Sequence, residues 1–102
     1  MNVSPTTDGL VLTGALDAKS VATVRTALTH MLDQHVGDVV LDVSGVDSLD
    51  ATGLAVLAAA HRRAQREGRH LVLRGCHGSL RRVLAKTKLS RVLRLEPVEV
   101  SV

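Results

Sequence analysis

The stretch that most constrains this chain lies at its midpoint. A β-branched apolar run, Val39-Val40-Leu41-Asp42-Val43, gives way to a polar passage and then to a helical pattern from Leu54 to Arg66. A strand that feeds directly into a helix has to lay that helix back over the sheet the strand belongs to. The run reads as a central strand, apolar enough to be covered on both faces. Asp47-Ser48-Leu49 reads as the turn, and Asp50-Ala51-Thr52 as the start of the helix. A helix start carries amides without intrahelical partners and a partial positive charge. It therefore suits an anion, a phosphate or an acidic partner surface.

The remaining segments fit around this unit. Thr6-Thr7-Asp8-Gly9-Leu10 reads as a turn between a short edge strand, Asn2 to Thr6, and a second strand, Leu10-Val11-Leu12. Pro5 confines the first strand to an edge, and Gly14 allows the chain to bend out of the sheet. Ser20 has the character of an N-cap, and Val21, Val24, Leu28, Met31 and Leu32 recur at helical spacing up to about Gln34. The central helix is expected to turn Leu54, Leu57, Ala58, His61 and Ala64 inward and to end at Gly68. His70 to Leu73 reads as a strand. A helix capped by Ser79 and closing at Leu89 follows, then a last strand, Val92 to Leu95, stopped by Pro97. The order β-β-α-β-α-β-α-β implies one α/β domain over residues 1–102, with a mostly parallel sheet and right-handed crossovers.

Composition sets limits on function. The 102 residues suffice for a single core, which must be filled by Leu, Val and Ala because Phe, Tyr and Trp are absent. Stability is expected to be ordinary or modest. Residues 1–50 carry seven Asp against Lys19 and Arg25, whereas residues 51–102 carry eleven basic against three acidic residues, giving the net charge of +3. A nucleic-acid partner is not expected, because no aromatic is available to stack on bases. Arg62, Arg63, Arg66, Arg81 and Arg82 fall where solvent faces of helices belong. The lone Cys76 cannot form an internal disulfide and fits a small residue in a strand-to-helix loop of a cytoplasmic protein. No apolar run reaches the roughly 20 residues of a membrane span, and Met1-Asn2-Val3-Ser4-Pro5 lacks the form of a secretory signal.

The chain offers little for catalysis. His30, His35, His61, His70 and His77 form no zinc-spaced set, and neither a P-loop nor a GxGxxG fingerprint is present. Ser44 and Ser48 have no evident base. Asp42, Asp47 and Asp50 resemble an Mg²⁺ cluster in residue type, but their positions suit loop and helix capping better. The expectation is a protein that is not an enzyme and holds no cofactor or metal.

The segment Val40-Leu41-Asp42-Val43-Ser44-Gly45-Val46-Asp47-Ser48-Leu49-Asp50-Ala51-Thr52-Gly53-Leu54 resembles the signature of the STAS family, which includes bacterial anti-sigma factor antagonists. Leu12-Thr13-Gly14-Ala15-Leu16-Asp17 is similar to the family's motif after its second strand, and Ser79 to Leu84 with Leu89 resembles its third helix. The resemblance implies a sheet with helices packed on one side and a protein-binding switch. It implies a partner of the anti-sigma factor, serine-kinase type, whose capture frees a sigma factor and which phosphorylates a Ser at the start of the second helix. That Ser falls on Ala51 here, while Asp17, Asp50, Thr52 and Gly53 match. The implied partner-binding residues are Asp17, Asp50, Ala51, Thr52, Gly53 and Leu54, with Thr52 the remaining candidate phospho-acceptor. Thr52 is turned about 100° around the helix from Ala51. STAS subunits of phospholipid-transport ABC complexes, which dock on the ATPase, are the alternative branch; they share a non-Ser residue with a nearby Thr in this loop.

Overall fold

The computed structural model describes residues 1–87 and 94–95. The elements are β1 (Asn2–Pro5), β2 (Gly9–Leu16), α1 (Val21–Gln34), β3 (Val39–Leu49), α2 (Ala51–Arg66), β4 (Leu71–Arg74), α3 (Gly78–Lys86) and β5 (Arg94–Leu95). They form one five-stranded sheet in the order β1-β2-β3-β4-β5, with β1 antiparallel and all later pairs parallel. Three successive right-handed crossovers in one direction place α1, α2 and α3 on the same side of the sheet, as the mixed, mostly parallel α/β expectation requires. Leu89, Val92, Leu93 and Pro97 lie outside the described residues.

The core lies between that face and the helices. Leu10, Leu12, Val39, Leu41, Val43, Leu71 and Leu73 point into it from the strands, against Val24, Leu28 and Leu32 of α1, Val56, Leu57, Ala60 and Ala64 of α2, and Leu80 and Leu84 of α3. Along β2, β3 and β4 the intervening Val11, Val40, Asp42 and Val72 are only half-buried. The expectation of a central strand covered on both faces is therefore corrected. The β-branched run reflects preference for a pleated conformation as much as burial, and Asp42 already marks its second face as wet.

Two strands run further than expected. β2 continues through Thr13 and Gly14 to Leu16 by means of two register shifts against β3, and Gly14 sits in one of them at φ +102. The glycine serves a bulge within the strand rather than an exit from the sheet. β3 extends to Leu49, so Asp47-Ser48-Leu49 is strand and not turn. Asp47 and Ser48 are exposed while Val46 is buried, the pattern of a strand end that runs past β4 while still paired with β2.

The helices obey local rules with three corrections. Ser20 occupies the N-cap position of α1 but makes no cap bond; its hydroxyl donates instead to the carbonyl of Ala15 at 2.8 Å. The inward face of α2 is Gly53, Val56, Leu57, Ala60 and Ala64, rotated from the expected set, which leaves Leu54, Ala58 and His61 half-buried. α3 begins at Gly78 with His77 at its N-cap position, so Ser79 lies inside the helix. At the end of α2 the expected glycine stop is present: Gly68 has φ +71, its amide donates to Gln65 at 3.1 Å, and the Arg69 amide donates to Ala64 at 2.8 Å. This is a Schellman closure. The Arg69 guanidinium then reaches across to the carbonyls of Leu32 (2.8 Å) and His35 (2.7 Å), closing the end of α1.

Candidate functional site at the start of the second helix

The site is the corner where β2 and β3 end and α2 begins. Asp50 is the extended residue between strand and helix, at φ −105 and ψ −177. One carboxylate oxygen, Oδ1, accepts the amide of Gly53 at 2.9 Å, satisfying an amide of the first turn. The other, Oδ2, accepts the amide of Ala18 at 3.3 Å, on the loop that follows β2. The Asp50 amide donates back to the carbonyl of Leu16 at 3.3 Å. Asp50 thus fixes both the helix start and the neighbouring loop.

That loop is organised by Asp17. Its Oδ1 accepts the amides of Lys19 (3.0 Å) and Ser20 (3.3 Å), and its carbonyl accepts that of Val21 at 3.0 Å. The Ser20 hydroxyl accepts the Asp17 amide at 3.0 Å. The structure therefore brings the expected Asp17 and Asp50 side by side, with Ala18 and Lys19 exposed between them and solvent. Sequence reasoning passed over Ala18 and Lys19 because neither carries a motif; their place follows from the Asp50–Ala18 bond alone.

On the helix itself, Ala51 and Thr52 are exposed. Their amides belong to the first turn and have no intrahelical acceptor. Gly53 is buried: a Cβ there would stand 2.4 Å from the carbonyl oxygen of Leu16 and 2.8 Å from the Leu49 side chain. The backbone that approaches Gly53 is the chain's own β2. Leu54 is half-buried and packs against the core. Of the six expected residues, Asp50, Ala51 and Thr52 present exposed surface, Asp17 is half-buried, and Gly53 and Leu54 support them.

Two shallow clefts flank the corner. One, of about 260 Å³, runs beside Asp17, Lys19 and Thr23; the other, of about 220 Å³, lies between Asp47-Ser48-Leu49 and His77, Leu80 and Val83. His77 Nε2–H donates to the carbonyl of Val46 at 2.8 Å, tying the start of α3 to β3. Both clefts fall below the roughly 300–1,000 Å³ of small-molecule pockets. The charge is acidic, from Asp17, Asp47 and Asp50, with Lys19 beside them.

Among the described residues no three His, Cys, Asp or Glu side chains converge as a metal site. Asp42 accepts the amide and the hydroxyl of Ser44, at 3.0 and 2.6 Å. Cys76 is buried in the β4–α3 loop, and burial raises its thiol pKa. Among the described residues no helix is long and apolar enough to cross a membrane.

Residues 2–96 match the family described as Mlab, STAS domain. No curated protein matches the chain. Solved structures share the fold. An anti-sigma factor antagonist from Mycobacterium paratuberculosis superposes with a TM-score of 0.78 at 22% identity, over 95% of this chain and 84% of that one. The anti-sigma factor antagonist SpoIIAA in its unphosphorylated form gives 0.72 at 15% identity, over 96% and 88%. A sulfate transporter family protein from Wolinella succinogenes gives 0.73 at 22% identity, over 92% and 80%.

Proposed function

The chain belongs to the STAS family, and from that premise we propose that it is an anti-sigma factor antagonist acting in the bacterial cytoplasm, with a docking surface that carries no phosphate switch at its usual position. The observation that supports this reading is Ala51. It is the first residue of α2, exposed beside Asp50 and Thr52, and its side chain has no oxygen to accept phosphate. The partner is an anti-sigma factor of serine-kinase type, held against Asp17, Asp50, Ala51, Thr52 and Leu54. In a switchable relative, phosphorylation would set nearly two negative charges beside carboxylates already present and expel the partner. Here the surface stays available, and the sigma factor stays free for as long as the antagonist is present.

Thr52 is the other oxygen at the helix start. A kinase positioned over residue 51 would meet it about 100° out of line. The second reading, a subunit docked on the ATPase of a phospholipid-transport ABC complex, is favoured by the same pair, a non-Ser residue followed by Thr52.

The test is a binding titration against the serine-kinase anti-sigma factors of the source genome, using the parent and Ala51→Glu. The exposed site at a helix start accepts a carboxylate without loss of fold, so the variant isolates the effect of charge. Saturable binding by the parent and its loss in Ala51→Glu is the expected result. Equal binding by both would sink the docking assignment, and co-purification with an ABC ATPase in place of a kinase would replace the partner.

A further inference from the structure

The face of the sheet turned away from the helices is open. Among the described residues no element lies against it: α1, α2 and α3 share the other side, where the core residues of β2, β3 and β4 point. The register fixes what the open face holds. Gly9, Val40 and Val72 stand in one row across β2, β3 and β4, and that row continues to residue 94 of β5. Val11, Asp42 and Arg74 stand in the next. Gly9 brings no side chain to the first row, so the apolar strip runs from Val72 to Val40 and then diagonally to Val11. All three valines are half-buried. From Val72 to Val11 is two strands across and two residues along, about 12 Å at ordinary sheet spacings.

β5 ends beside this strip. Leu73 pairs with Leu95, and β4 stops one residue later, at Arg74. Gly75, at φ +74, then turns the chain out of the sheet. A chain continuing past residue 96 therefore has no length of β4 left to pair with. Its sequence is Glu96-Pro97-Val98-Glu99-Val100-Ser101-Val102, outside the described residues. Pro97 has no N–H to give to a ladder. Val98, Val100 and Val102 alternate with Glu99 and Ser101, so an extended conformation would put the three valines on one side. From Val98 to Val102 such a segment spans about 13 Å, close to the length of the strip. Its reach also suffices: β2 is three strand spacings from β5, about 14 Å, and residues 96–102 extend to about 23 Å. The helix side offers no equal place, because Leu71 and Leu73 are already fully buried there.

We propose that residues 97–102 cross the open face as a strap, with Val98 over Val72, Val100 over Val40 and Val102 over Val11. Glu99 and Ser101 then face solvent, and a strip of half-buried valines is exchanged for a polar surface. A second copy of the chain is a poorer occupant. Three valines cover far less than the roughly 800 Å² that a stable interface takes from each partner.

The test places a nitroxide on Ser101→Cys in the full chain enriched in nitrogen-15. Cys76 is buried and stays unlabelled in the folded protein. The strongest broadening is expected at the amides of residues 9–11 and 39–41, with α1 and α2, beyond the sheet, keeping several-fold more intensity. Adding Val100→Glu, which alters no described element, should remove that contrast. In the unlabelled protein, deleting residues 97–102 should move the amide shifts of Val11, Val40 and Val72. The proposal is overturned if broadening is even over the chain or strongest on α3, if it survives Val100→Glu, or if the deletion leaves the three valine amides unmoved. Broadening carried to a spin-free copy in a mixed sample would also overturn it, marking a contact between copies instead of a strap within one.

Discussion

The carboxylate of Asp50 bonds the amide of Ala18, 32 positions earlier in the chain, while it caps its own helix through Gly53. One side chain therefore holds the two loops at the start of α2 in register. Under the proposed docking, such a brace matters because loops ordered only on binding subtract their entropy from affinity.

Replacing Asp50 by Ala should cost about 1–2 kcal/mol, since it removes the cap and the loop bond together. In a domain of this size, the melting temperature should fall by about 4–8 °C for each kcal/mol. Asp50→Asn keeps an acceptor oxygen and should recover most of the loss. A thermal melt of both variants decides it: equal destabilisation would show that charge, not the cap geometry, dominates.

Gly53→Ala should be more damaging than its small size suggests. The new methyl would stand 2.4 Å from the Leu16 carbonyl and 2.8 Å from the Leu49 side chain, and the carbonyl is backbone that cannot rotate away. Overpacking of this kind costs about 1–3 kcal/mol. It should also loosen the Asp50–Ala18 brace, read as faster amide exchange at Ala18. Ala55→Gly, at an exposed position two residues on, should cost only about 1 kcal/mol. Equal losses for the two would refute the packing argument.

How much of this could be read from residue order depends on the range of the cause. The cap at Asp50, the α1 and α2 boundaries and the Gly68 stop were legible, because each is set within one or two turns. That the sheet is mostly parallel followed from alternation of strands and helices; the spatial order of its strands did not. The length of β3 was not legible: Asp47-Ser48-Leu49 has turn-like composition, yet β2 pairs with it as far as Leu16–Leu49. Ser20 occupied the cap position but was drawn off by the Ala15 carbonyl, which the β2 bulges bring near. Gly53 stood out as a match to the family motif, and only the fold could show that β2 packs its backbone against it.

Arg69 carries a stabilising role that its type does not announce. Its guanidinium closes the carbonyls of Leu32 and His35 and also bonds Glu67. Arg69→Ala should cost about 1.5–3 kcal/mol, the range for hydrogen bonds to a charged group. Arg69→Lys should recover only part, because one ammonium cannot reproduce the planar fork. The check is a denaturant titration, with unchanged midpoints counting against the role.

Burial raises the Cys76 thiol pKa above its ordinary value. The unfolded chain, with its thiol at the ordinary value of about 8.5, then loses its proton first as pH rises. The thiol's contribution is fully present below that value and is lost as pH climbs toward the folded pKa. Between pH 8 and 10 the parent should therefore lose more stability than Cys76→Ala. Ellman's reagent should react slowly with the folded protein and rapidly after denaturation. Rapid reaction in the folded state would place the thiol at the surface.

Under the proposed function, Ala51 is the residue that separates this chain from a switchable antagonist. Ala51→Ser places a hydroxyl at an exposed first-turn position, where substitutions are usually neutral to within about 0.5 kcal/mol. If the serine-kinase partner docks at this corner, incubation with it and ATP should add one phosphate to Ala51→Ser and none to the parent, read by intact mass. The phosphate would sit on the free amides of the α2 start, a favourable place for it in the released protein. In the bound protein it would stand beside Asp50, whose own carboxylate is fixed by Gly53 and Ala18 and cannot swing aside. Release should therefore follow phosphorylation without any change of fold. Phosphate on the parent, mapped to Thr52, would show that the switch had moved by one residue; a variant that stays unmodified while still bound would show that the partner does not present its catalytic centre here.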